Sequence, residues 1–462
     1  MPYNKQFGSK TAHSDVVRNP DVQAFLKQCQ PLREPSELES KELVSCFVDP
    51  PTGNPDDSLK YVIASDGSFY TSIIDKRLPS IQVCYLKFST ILIDMEEYLG
   101  LEDAKTHMID PFKVAAMQRN HEPLPLVLPL ANFKLPEDDC VKSTFRRQMD
   151  AFLRSEQTCF IADDTATSLM STLIELALLR PDNNTPPGRI KVHQCPSAGC
   201  TNRNIYLDPN KPDHQCSVCG KPLYISDCLR LWEGVSDFHA NQEPASRFMS
   251  YIEHLIPIHY LRFLEVEDPA LLGELAILVD GPLAVFGNAA WLHQSIMKYI
   301  YHLKKRQWAA HKRAPIIIGL QKSGYVVEYM QLLSHHIPND RIFSITDDFR
   351  IEYLGVEKSG NGFGDETYYG QDFVYKSPSD RLFVFALPYP FPSKRAVPNF
   401  RLEKVKIERY PELTVALNLI TQLETELFHD ALVPIALAHK FASISFKPGG
   451  RVLDILGRKA RK

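Results

Sequence analysis

The chain has 462 residues, 44% of them hydrophobic and 23% charged, with a formal net charge of −4. That composition is ordinary for a globular protein of two or three domains, or of one large domain with insertions, and its core needs no covalent staples. A net negative chain does not coat nucleic acid through bulk charge, although an enzyme with a local basic groove remains compatible with it.

The N-terminal stretch MPYNKQFGSKTAHSD has no apolar core and does not read as a secretory signal. No run approaches the roughly 18 apolar residues of a membrane span, so the chain reads as cytoplasmic, with no membrane partner. Ten cysteines in such a chain read as thiols and a metal site, not as a disulfide framework. The tail GRKARK, 457–462, is the one dense basic cluster and reads as a solvated terminus.

In chain order, residues 1–57 form a polar, proline-broken extension with one helical stretch around 22–30. Residues 58–180 open an α/β core. YVIASDGSFY, 61–70, reads as a buried strand that ends in Asp66 and turns at Gly67, a way of holding a carboxylate rigidly. Taken alone, Asp-Gly is ordinary turn chemistry. SIQVCYLKFSTILI, 80–93, follows as one or two further strands. A strand carrying an aspartate at its end, followed by antiparallel neighbours, is how an RNase H-like sheet begins. From about 94 to 180 the apolar spacing of three and four reads as helical. Glu175 sits there and reads as an exposed helical residue.

Residues 181–230 carry the most specific local signal. Cys195 and Cys200, then Cys216 and Cys219, form C-x4-C and C-x2-C knuckles fifteen residues apart, the spacing of a zinc ribbon. Gly199 and Gly220 permit the tight turns. Four thiolates make a closed structural Zn²⁺ site, with His193 and His214 near enough to replace one cysteine. Cys228 falls outside the spacing and reads as a buried thiol.

Residues 231–462 resume the core. The helix from Ser246 has an apolar stripe of Phe248, Ile252 and Leu255, with Glu253 beside it, and Pro257 kinks or divides it. ELAILVDGPLAVFG repeats the first theme: an apolar strand ends in Asp280 and Gly281. A helix around 288–308 and the strand PIIIGLQ, ending before Lys322, complete a parallel crossover. A lysine there either snorkels to solvent or meets a phosphate or the site carboxylates. The glycine-rich stretch 355–372 reads as a mobile loop and matches no phosphate cradle. Strands are expected near 373–375, 382–387 and in VKIERYPEL, and a helix in VALNLITQLETELFHDAL. His439, in VPIALAHKF, taken alone reads as a satisfied core histidine.

The ordered set of a strand with Asp-Gly-Ser, a helical Glu ahead of Asp-Gly-x-Leu, a strand running to Lys-Ser and a late Ala-His resembles the NurA nuclease family. The resemblance spans roughly 61–446. It implies an RNase H-like mixed sheet flanked by helices, here with an inserted four-cysteine zinc ribbon. Asp66 and Asp280 resemble the family's two Asp-Gly aspartates, Glu253 its helical glutamate, with Glu175, Glu265 and Glu267 as rivals, and His439 its C-terminal histidine. Lys322 falls where the family carries a basic residue after a strand. Pro282, and the ribbon itself, depart from the family pattern.

The resemblance implies a homodimeric Mn²⁺- or Mg²⁺-dependent deoxyribonuclease with 5′-to-3′ exonuclease and single-strand endonuclease activities. Its partners are DNA and a HerA-type hexameric ATPase, in DNA end repair or antiviral defence. Two competing readings are a non-catalytic adaptor docking DNA or a motor ATPase, and a zinc-ribbon nucleic-acid binder. An adaptor has no need of acids at strand ends, and a binder needs clustered Lys and Arg.

Overall fold

The computed structural model describes residues 14–29, 35–53, 59–101, 113, 122–162, 165–181, 184–357, 362–425, 432–444, 453–454 and 456. The basic tail 457–462 lies outside the described residues. Among the described residues, no helix is long and apolar enough to cross a membrane.

The architecture is an α/β fold built on one eight-stranded mixed sheet. Its strands are β1 (Tyr61–Ile73), β2 (Gln82–Asp94), β3 (Leu124–Ala131), β4 (Leu275–Asp280), β5 (Ile316–Gln321), β6 (Arg341–Ser344), β7 (Gly370–Lys376) and β8 (Leu382–Pro388). They lie in the order β6-β7-β8-β5-β4-β1-β2-β3. β2 runs antiparallel to both of its neighbours, β1 and β3, while β1, β4 and β5 run parallel. This is the mixed sheet expected of an RNase H-like core.

Helices cover both faces, and strand parity sorts the core between them. Ile63, Ile277, Val279 and Ile317 pack with α1 (Val141–Arg154), α2 (Leu169–Leu178), α3 (Gln242–Glu267) and α4 (Leu292–His311). Val62, Ala64, Ala276, Leu278 and Ile318 pack with α5 (Leu413–Leu423) and α6 (Val433–Ala442) on the other face. Burial from two sides is why β4 reads as an unbroken apolar run. The extension reaches the far edge of the sheet: Leu43 and Phe47 pack there, and Val48 bridges to Ile342 in β6.

Five local expectations are corrected. β1 does not end at Asp66; it pairs with β2 from Tyr61 to Ile73, and Gly67 lies opposite Phe88 inside the strand. The 94–180 stretch is not wholly helical, because LPLVLPLA forms β3. Pro125 and Pro129 disguise that strand, and they are tolerated because β3 lies at the sheet edge. Pro257 does not divide α3, which runs unbroken for 26 residues. VKIERYPEL forms a turn of 3-10 helix at Ile407–Arg409, not a strand. In the glycine-rich stretch, Gly370–Asp372 already belong to the wholly buried β7, and 358–361 lie outside the described residues.

Candidate metal centres and the carboxylate cluster

The ribbon is two small hairpins, Ile190–Gln194 with Arg203–Leu207 and His214–Gln215 with Pro222–Leu223. Each knuckle turns through a glycine in the left-handed region, Gly199 at φ 74° and Gly220 at φ 68°, where a side chain is strained. The turns bring Cys195 Sγ to 3.7 Å from Cys219 Sγ and Cys200 Sγ to 3.7 Å from Cys216 Sγ.

All four ligand atoms lie within 4.8 Å of one another, and among the described residues this is the one such group of His, Cys, Asp or Glu side chains. Such a thiolate set fits tetrahedral Zn²⁺. His214 instead bonds through Nε2 to the Asp208 carbonyl at 2.9 Å, and His193 lies outside the group. Cys228 is buried apart from it, its thiol pushed far up by desolvation. The ribbon is fastened to the core by buried Arg146 of α1, which donates to both Asp227 oxygens at 2.7 Å and to the Pro222 carbonyl at 2.9 Å.

The second centre lies where β4 stops and β1 continues. The last parallel pair is Ser65 with Val279. After Asp280 the chain turns away through Gly281 at φ 100°. In register Asp66 comes level with Asp280, the last residue of β4, beyond the last ladder pair, and Gly67 runs past the end of that strand. The Gly67 N–H donates instead to Glu253 Oε1 at 3.0 Å and to Asp66 Oδ1 at 2.8 Å.

Glu253 comes from α3 on one face of the sheet. On the other face, His439 in the last turn of α6 donates from Nδ1 to Asp66 Oδ2 at 2.7 Å. Its side chain is 60% exposed, so it is not a core histidine. Ser68 Oγ donates to the Ala442 carbonyl at 2.5 Å, fixing the end of α6 to β1. Lys322, just past β5, places Nζ 2.6 Å from Asp280 Oδ2.

The five residues read as a site from the sequence are thus gathered around one sheet opening. The rival glutamates Glu175 and Glu265 lie elsewhere, bound to Arg262 and to Tyr299 and Arg306 respectively.

Charge accumulates in this opening. Burial first, then the Asp66 and Asp280 charges, push the Glu253 carboxyl up from 4.5 to about 8. Burial also raises Asp280, against the pull of Lys322. Clustered, partly desolvated oxygens are a setting that a hard divalent cation relieves, so the donor set fits Mg²⁺ or Mn²⁺. The carboxylates are less tightly gathered than the thiolates, because Asp66 is turned toward His439 and Asp280 toward Lys322.

Two structural supports escaped the sequence reading. Gly67 serves close approach, not a turn: a Cβ there would lie 2.8 Å from Glu253 Oε1 and 2.8 Å from Met249 Cγ. A glycine inside a strand is the signal that could have shown it. Behind Lys322, Gln321 Nε2 donates at 2.9 Å to buried Asp372, which is also paired with buried Arg350. No sequence pattern announced that network.

No family model matches the sequence, and no curated protein sequence matches it. Among solved structures, the chain is similar to the NurA nuclease from Sulfolobus solfataricus, at 8% identity over 98% of this chain and 95% of that one, with a TM-score of 0.31. A second structure described as NurA is similar at 10% identity over 96% of this chain and 97% of that one, with a TM-score of 0.29. The chemistry of the site rests on this chain's own side chains.

Proposed function

We propose that the chain is a metal-dependent deoxyribonuclease in which Asp66, Glu253 and Asp280 hold one or two Mn²⁺ or Mg²⁺ ions. The observation that carries this reading is the meeting of Glu253 with Asp66 at the opening beside Asp280, with the Glu253 carboxyl pushed up to about 8 by burial and by both aspartates. Divalent ions bound there supply an acidified water and neutralise charge on the phosphodiester.

The chain's own residues do the rest. Gly67 N–H fixes one Glu253 oxygen. Asp66 anchors His439 through Nδ1, which leaves Nε2 on an exposed ring, where the imidazolium form carries the proton that would pass to the leaving oxygen. Lys322, only partly buried beside Asp280, can exchange that carboxylate for a phosphate oxygen as a point charge. The ribbon holds a structural Zn²⁺ apart from this chemistry. The finer reading, from the sequence resemblance, is a homodimer with 5′-to-3′ exonuclease and single-strand endonuclease activity, working with a HerA-type hexameric ATPase in DNA end processing or anti-phage defence.

The test is cleavage of labelled linear duplex and single-stranded DNA with Mn²⁺ by the wild type, Asp66→Ala and Asp280→Ala. Loss of cleavage by at least 100-fold, on the order expected when a group stabilising the transition state is removed, is the expected result. Equal cleavage by all three proteins overturns the assignment.

A further inference from the structure

The two elements that carry Glu253 and Asp280 also wall a groove that the site description leaves unused. Its volume is 350 Å³, and it is lined by Glu243, Ser246, Arg247, Ser250 and Tyr251 from α3 and by Phe286 from the loop after Asp280. Ser246, Ser250 and Glu253 are spaced by four and three on the helix, so they share one face. Ser246 lies seven residues from Glu253, roughly 10 Å along the axis, or up to three stacked nucleotides at about 3.4 Å each.

The loop is locked in place. Tyr251 Oη donates to the Phe286 carbonyl at 3.0 Å and accepts from the Ala289 N–H at 3.3 Å. Phe286 is nevertheless 50% exposed, with its ring set edge-on to Tyr368 at 5.9 Å. A large aromatic ring held rigidly and left half in solvent gains nothing for the core.

Beside it, Gly287 adopts φ 84°, and a Cβ there would overlap the Arg247 guanidinium at 1.8 Å. The glycine therefore lets Arg247 lie against the loop, next to the ring. Among the described residues, the one acidic group lining the groove is Glu243, which Arg247 pairs at 2.6 Å on an exposed surface. Such an exposed pair is weak, so a phosphate can displace it.

We infer that this groove is a subsite for single-stranded DNA flanking the cleaved bond. Phe286 stacks on one base, and Arg247, Ser246 and Ser250 hold the adjoining phosphates. A duplex does not fit this role, because its bases are already stacked and offer no face to the ring. The inference rests on the nuclease reading for its direction, since Ser246 and Ser250 share the Glu253 face of α3 and Phe286 lies in the loop after Asp280, but it is tested separately.

The experiment measures binding of fluorescein-labelled oligothymidylate, and quenching of 2-aminopurine in an oligonucleotide, in buffer free of divalent ions. Wild type, Phe286→Leu, Phe286→Tyr and Arg247→Ala are compared. Phe286→Leu keeps an apolar side chain and is expected to bind roughly ten-fold more weakly and to lose the quenching, while Phe286→Tyr retains both. Arg247→Ala is expected to lower the salt dependence by about one ion. Phe286→Leu that binds and quenches like the wild type overturns the subsite, even if the wild type cleaves DNA. Phe286-dependent binding and quenching in a protein that cleaves nothing upholds the subsite and overturns the nuclease reading instead.

Discussion

Replacing Glu253 by glutamine removes a carboxyl that the fold ionises only at a cost. The carboxyl is pushed from 4.5 to about 8, by burial and then by Asp66 and Asp280. The unfolded chain releases this proton near pH 4.5 and the folded chain keeps it to about pH 8. Between those values the folded state binds more protons, so stability falls as pH rises. At 1.36 kcal/mol per unit, the side chain costs about 2 kcal/mol at pH 6 and about 5 kcal/mol at pH 9. Residual solvent contact of Glu253 makes both upper values.

The difference of about 3 kcal/mol is specific to the acid, because glutamine does not titrate. A chain of 462 residues unfolds with an entropy of about 1 kcal/mol/K, so the difference reads as roughly 3 °C. In buffer free of divalent ions, the thermal midpoint of the wild type should therefore fall by about 3 °C more than that of Glu253→Gln between pH 6 and pH 9. Added Mn²⁺ should stabilise the wild type more at pH 9 than at pH 6, since ligand carboxylates bind ionised. Most of that pH dependence should vanish in Glu253→Gln. Parallel pH profiles of the two proteins, with and without Mn²⁺, would refute the reasoning.

Gly67→Ala places a methyl 2.8 Å from both Glu253 Oε1 and Met249 Cγ. It should cost about 1–3 kcal/mol by overpacking, seen in urea unfolding, and should weaken the Mn²⁺ response by displacing Glu253 from Asp66. A variant with unchanged stability and unchanged Mn²⁺ response rules out the close-approach role. Cys216→Ser should lower bound zinc from one atom per chain, measured by elemental analysis, and lower the thermal midpoint, because metal binding free energy contributes to folding. A variant that retains its zinc and its fold excludes the ribbon ligand set.

Much of the fold was legible because its signals are local. Burial of β4 and β5 on both faces leaves continuous apolar runs, and the crossover between them carries a helical repeat long enough to recognise. The ribbon was legible for the same reason, since knuckle spacing and turn glycines lie within a few residues of each ligand. β3 was hidden because edge strands admit proline, and a strand with two prolines does not look like one. The 3-10 turn at Ile407–Arg409 carries strand-like residues in a segment that pairs with no strand.

By itself the sequence determined that Asp280 ends an apolar strand and which four thiols stand together, because backbone period and turn chemistry fix those placements locally; it misplaced the end of β1 at Asp66. Tertiary structure decided the remainder. Glu253 is distinguished from Glu175 and Glu265 only by which partner its helix meets, and that depends on Gly67 admitting α3 against β1. His439, a core histidine when taken alone and a site histidine only through the resemblance, partners Asp66 because α6 ends where β1 outruns β4. These are contacts between residues 186 and 373 positions apart, and no local pattern encodes them.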